Sequence, residues 1–135
     1  MTERDFEQRV RAAFKKRGYF CERLRGPEGY PNLTVLSDDA FITVELKVCN
    51  TTDKINKVFQ PTQIPYFIKH ARRLNSFIFC YIDDIKKIWI YYPATNSLDY
   101  MEFLTSVGVG KLKFPGQAYE NIPAIINNLV SGGWL

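Results

Sequence analysis

Histidine is nearly absent from this 135-residue chain: His70 is the only one, which leaves no second histidine from which to build a metal or triad site. Cysteine is scarce as well. Cys21, Cys49 and Cys80 are odd in number, widely spaced and free of any Cys-x-x-Cys pairing, which argues against a zinc site or a disulfide framework and suits a reducing cytosol. Cys49 and Cys80 fall in apolar runs, where a thiol serves as a small buried hydrophobe. No apolar run reaches the length needed to cross a bilayer, and the opening MTERDFEQRV is charged and amphipathic, unlike a secretory signal. Internal repeats, low-complexity tracts and linker-like stretches are also lacking. Residues 1–135 are therefore expected to form a single domain, cytoplasmic and without membrane association.

What is present is an ordinary folding composition with a basic balance. Hydrophobic residues make up 46% and charged residues 24% of the chain, enough apolar side chain for one core. Lysine and arginine total 18 against 14 aspartates and glutamates, giving a net charge of +4. The basic residues come in small groups: Lys15-Lys16-Arg17, Arg23 with Arg25, Lys54 with Lys57, Arg72-Arg73, Lys86-Lys87, and Lys111 with Lys113. Such groups suit either a solvated surface or a sequence-independent phosphate-binding one.

The hydrophobic spacing predicts an opening helix. Thr2 is placed as its N-cap with Asp5 three residues on, Phe6, Val10, Ala13 and Phe14 recur at helical spacing, and Gly18 ends it. Tyr19 to Leu24 reads as a strand, and Gly26-Pro27-Glu28-Gly29 as a loop. Leu33 to Leu36 and Phe41 to Val48 read as two strands about a Ser37–Ala40 turn. Ile42, Val44, Leu46 and Val48 alternate with Phe41, Thr43, Glu45 and Lys47, so the two sets face opposite sides of the sheet. With the aliphatic set in the core, Glu45 and Lys47 are expected on an exposed face. A hairpin turning at Asp38-Asp39 pairs Leu33 with Val44 and Val35 with Ile42, apolar against apolar. The same register puts Asn32 across from Glu45.

Beyond a polar loop at residues 50–57, Gln60 or Thr62 opens a helix whose buried stripe is Ile64, Phe67, Ile68, Ala71 and Leu74. His70 lies on this helix near Lys69 and Arg72 and reads as a surface or phosphate-backbone residue rather than a catalytic one. Ser76 to Ile82 and Lys86 to Tyr92 are apolar strands joined at Asp83-Asp84. Their aromatics, Phe77, Phe79, Trp89, Tyr91 and Tyr92, suit a core or dimer interface better than base stacking. A short strand near Lys111 to Phe114 and a terminal helix from Ile122 to Val130 complete the reading.

Position 32, Glu45 and Lys47 on one face of a hairpin are nearly what phosphodiester hydrolysis requires. Carboxylates hold hard divalent cations, and a neighbouring lysine orients or deprotonates water and offsets developing negative charge. Here the sequence resembles the PD-(D/E)-x-K nuclease superfamily: Pro31-Asn32 followed by Glu45-Leu46-Lys47 is similar to its signature. Glu7 in the first helix and Gln63 opening the helix after the lysine strand resemble its further motifs. The spacings are most similar to archaeal and viral Holliday junction resolvases, with restriction-type, homing-type and RecB-like nucleases as close alternatives. The resemblance implies an α/β fold, with a restriction-endonuclease-like central mixed β-sheet flanked by helices. It implies Mg²⁺ as cofactor (Mn²⁺ as substitute), no small-molecule cofactor, duplex or branched DNA as partner, and a homodimer. In that scheme Glu45, the Leu46 carbonyl and position 32 hold the metal, and Lys47 positions the attacking water. Glu7 reaches the metal from the first helix, and Gln63 orients Lys47, a water or the DNA backbone.

The family's aspartate is asparagine here. Asn32 offers a neutral oxygen in place of a carboxylate, which weakens metal affinity. A substitution introduced to trap a complex, a natural variant that still binds metal, and a naturally inactive DNA-binding relative are all compatible with it. Asp38 and Asp39, at the turn and roughly 20 Å along the strand at ~3.3 Å per residue, are too far to replace it; Glu28, in the preceding loop, is nearer.

Overall fold

The computed structural model describes residues 1–23, 31–51, 75–91 and 117–135. The first helix, α1 (Glu3–Lys16), starts where expected: the Thr2 side chain accepts from the Asp5 N–H, and the Asp5 carboxylate accepts from the Thr2 N–H in return. The same contact from Thr2 holds the Asp5 carboxyl below its ordinary value. Phe6, Val10 and Phe14 form its buried stripe, and Gly18 ends it with φ +85°, a conformation favourable to glycine.

Six strands follow in sheet order, β1 (Phe20–Arg23), β2 (Leu33–Leu36), β3 (Phe41–Cys49), β4 (Ser76–Ile82), β5 (Lys87–Tyr91) and β6 (Gln117–Tyr119). All neighbours are antiparallel except β3 and β4, so the sheet is mixed. A parallel pair needs a long crossover, and residues 50–75 supply it. The hairpin register is the expected one: Leu33 pairs with Val44 and Val35 with Ile42. Its turn is held by Ser37, whose N–H donates to the Ala40 carbonyl at 2.9 Å. Asn75 enters β4 with φ +46°, which asparagine tolerates, and its side-chain amide donates to the Phe41 carbonyl.

One sheet face is the core. Leu33, Val35, Ile42, Val44, Leu46, Phe77, Phe79 and Ile88 cluster there with Phe6, Val10 and Phe14 of α1. Ile125, Ile126 and Leu129 of the last helix, α2 (Ile122–Ser131), complete it. Asn121 caps α2 by accepting from the Ala124 N–H. Phe77 and Phe79 are thus core residues.

Two expectations fall on residues the structure does not describe. The short strand expected near Lys111 to Phe114 falls outside the described residues, and Gln117–Tyr119 is a strand that no pattern signalled, three residues carrying too little alternation. The helix expected after residue 60, with Gln63 and His70, also lies outside the described residues, as does Glu28. No helix among the described residues is long and apolar enough to cross a membrane.

Candidate functional site

Where the β2–β3 ladder stops, Asn32 continues it with its side chain. Its Oδ1 accepts the Leu46 N–H at 2.9 Å. An N–H can bond only to the oxygen end of an amide, so the orientation of Asn32 is fixed and its NH₂ end points away from Leu46. The bond lands on the backbone of the residue between Glu45 and Lys47, which ties position 32 to the strand that carries both.

Glu45 and Lys47 differ from expectation in exposure. They stand on the sheet face opposite the core cluster, yet they are only 1% and 4% exposed. Their cross-strand neighbours on β4, Ile78 and Cys80, are buried as well. Alternation along β3 assigned the face correctly, but a single strand carries no signal for what covers that face. Lys47 Nζ lies 3.5 Å from Glu45 Oε1, so the two charges are buried as a pair. Removing one partner of such a pair costs far more than the pair itself contributes.

Farther along the same face, Cys80 and Cys49 bring their sulfurs to 3.7 Å without forming a disulfide. The hydrogen bond with Cys49, then burial, raises the Cys80 thiol above its ordinary value. Burial pushes the Cys21 thiol up to about 11. Raised thiols are poor nucleophiles and poor metal ligands, so the small-buried-hydrophobe reading of Cys49 and Cys80 stands.

Glu7 lies on α1 and shares a cleft of about 440 Å³ with Glu3, Arg4, Gln8, Arg11, Arg23 and Asn32. Asn32 is therefore the residue common to the cleft and to the Glu45–Lys47 strand. Glu7 is half-buried, with Oε1 only 3.8 Å from Arg23 Nε and without a hydrogen bond among the described residues. The buried Nε of Arg11, one turn along the same helix, likewise has none. A buried polar atom left unsatisfied costs about 1–3 kcal/mol, so this cleft suits a polar occupant that offers Glu7 a donor and Arg11 an acceptor.

Of the cleft's arginines, sequence reasoning named Arg23 only as part of a basic group and did not single out Arg4 or Arg11. Extending the antiparallel pairing to β1 would have found one of them: Arg23 lies opposite Leu33, one residue from Asn32.

A divalent cation does not fit this set as it stands. Among the described residues no group of three or more His, Cys, Asp or Glu side chains could hold a metal ion. Asn32 supplies no charge, and its oxygen already takes the Leu46 N–H. A carboxylate at position 32 could accept that N–H with one oxygen and present the other where the NH₂ now stands.

No protein-family model matches the chain, and no curated protein matches its sequence. Solved structures do. The chain is similar to a Holliday junction resolvase from the archaeal hyperthermophile Archaeoglobus fulgidus, at 13% identity and a TM-score of 0.50, over 67% of this chain and 75% of that one. It also matches a bacterial homing endonuclease at 11% identity and a TM-score of 0.49, over 97% of this chain and 93% of that one. The mixed sheet with its flanking helices is the α/β fold that the sequence resemblance implied, the nuclease-like fold of the archaeal resolvase.

Proposed function

We propose that the chain is a DNA-binding protein with an endonuclease site of the metal-dependent, resolvase-like type, in which Asn32 holds hydrolysis low. The observation that carries this reading is the bond from the Leu46 N–H to Asn32, which joins the Glu7 cleft to the buried Glu45–Lys47 pair. A divalent metal at such a site supplies an activated water and neutralises phosphate charge. In this chain Glu45 and the Leu46 carbonyl would hold it, with position 32 as the missing charge. Lys47 would orient the water, Glu7 would act from the cleft, and Gln63 would assist from the helix after residue 60. The name of the Holliday junction resolvase above supports a branched DNA substrate; duplex DNA as a further substrate and a homodimer belong to the same proposal.

The NH₂ group of Asn32 also favours a second reading, a DNA-binding module on a nuclease fold. It presents donors where a cation would sit. Incubation with a four-way junction and with supercoiled plasmid, in Mg²⁺ or Mn²⁺ and in EDTA, tests the first reading. Binding with weak, EDTA-sensitive cutting supports it, binding without cutting under any condition by both the parent and Asn32→Asp supports the module, and no binding to either DNA contradicts both.

A further inference from the structure

Beside the cleft, α1 and β1 are joined by a three-residue ionic contact. Arg11 Nη2 donates to one carboxylate oxygen of Glu22 at 2.6 Å, and Lys15 Nζ to the other at 2.7 Å. Arg11 and Lys15 are one helical turn apart and extend a stripe that begins with Arg4 and Gln8 in the cleft wall. Glu22 thus sits between two cations as a two-oxygen anion, the way a backbone phosphate would. Arg11 belongs to both places, because it also lines the cleft and keeps its buried Nε–H without a hydrogen bond among the described residues. Glu22 itself is more than a third exposed, so an incoming anion can reach and replace it.

We propose that Arg11 and Lys15 bind a backbone phosphate of DNA running through the Glu7–Asn32 cleft, and that Glu22 occupies this position in the free protein and holds DNA affinity down. The proposal rests on the reading that the cleft takes DNA, and it adds the residues that grip the strand and the residue that competes with it. On binding, the phosphate exchanges for the Glu22 carboxylate, and Arg11 gains an acceptor for its idle Nε–H.

The test is binding of a labelled duplex and a four-way junction in EDTA, across about 50 to 200 mM salt, where phosphate contacts dominate affinity. Glu22→Gln should tighten binding about two- to fivefold at low salt, the scale of one exposed ion pair, and steepen the salt slope by roughly one phosphate contact. Glu22→Thr, which suits a strand, should do the same. Arg11→Gln with Lys15→Gln should weaken binding, flatten the slope and abolish any gain from Glu22→Gln. Asp39→Asn makes the same change in net charge at the far turn of the hairpin and should have a smaller effect. Retained helical circular dichroism and cooperative melting identify the folded variants. A parent that binds DNA with no gain from either Glu22 variant overturns the proposal alone, as does an equal gain from Asp39→Asn. Absence of DNA binding by the parent and every variant overturns the DNA reading and the proposal together. A gain in binding by the Glu22 variants supports the proposal whether or not any of them cleaves DNA.

Discussion

Asn32 and Leu46 are joined side chain to backbone, Oδ1 to N–H at 2.9 Å, at the point where β2 has run out and β3 continues. The contact does two things. It gives the Leu46 N–H a partner beyond the end of the ladder, and it sets the Asn32 NH₂ group on the side away from Leu46. Structure and chemistry therefore pull apart at one residue: asparagine and aspartate can both accept the N–H, but only aspartate brings a charged oxygen to a cation.

The structural half of that statement is a stability prediction. Asn32→Ala removes the acceptor and leaves a part-buried N–H without one, so it should destabilise the fold by about 1–3 kcal/mol. Asn32→Asp keeps an acceptor and should lose less. Urea denaturation midpoints check both, and a midpoint unmoved by Asn32→Ala would mean the bond is not formed in solution.

The buried pair yields a double-mutant cycle. Lys47→Met removes the cation beside the buried Glu45 carboxylate and should cost roughly 3–5 kcal/mol. Glu45→Gln together with Lys47→Met removes both charges and should recover a good part of that loss. Independent, additive costs would show that Glu45 and Lys47 do not interact across their 3.5 Å.

Much of this was legible in the sequence, for identifiable reasons. Apolar pairing alone fixed the β2–β3 register, because a one-residue slip would send Leu33 and Val35 to the wrong face. The Thr2–Asp5 reciprocal cap and Gly18 marked both ends of α1 through local chemistry. Burial of Glu45 and Lys47 was not legible, since it depends on what packs over the second face, and strand alternation describes only the strand. The ionic contact of Glu22 with Arg11 and Lys15 was missed for a related reason. It joins a helix to an edge strand, and no sequence period links those positions.

Glu22 also sets a pH dependence. The hydrogen bond from Lys15, then that from Arg11, holds its carboxyl below the ordinary value of 4.5. The unfolded chain therefore takes up this proton first as pH falls. The contribution to stability is complete above about pH 4.5 and is lost as pH drops through the lower folded value. Glu22→Gln should lower stability at neutral pH and flatten the acid limb of a stability–pH curve. Parallel acid limbs for parent and variant would contradict the ionic contact.

The central proposal is that the neutral side chain at position 32 holds hydrolysis low at a site of the metal-dependent nuclease type. Its most direct test is Mg²⁺- and Mn²⁺-dependent cleavage of a four-way junction and of plasmid by the parent, Asn32→Asp, and Asn32→Asp with Lys47→Met. The account predicts weak or undetectable cutting by the parent and clear, EDTA-sensitive cutting by Asn32→Asp. It predicts loss of that gain in the double variant, with DNA binding retained throughout. Robust Mg²⁺-dependent cutting by the parent, or none by Asn32→Asp while it still folds and binds DNA, would contradict it.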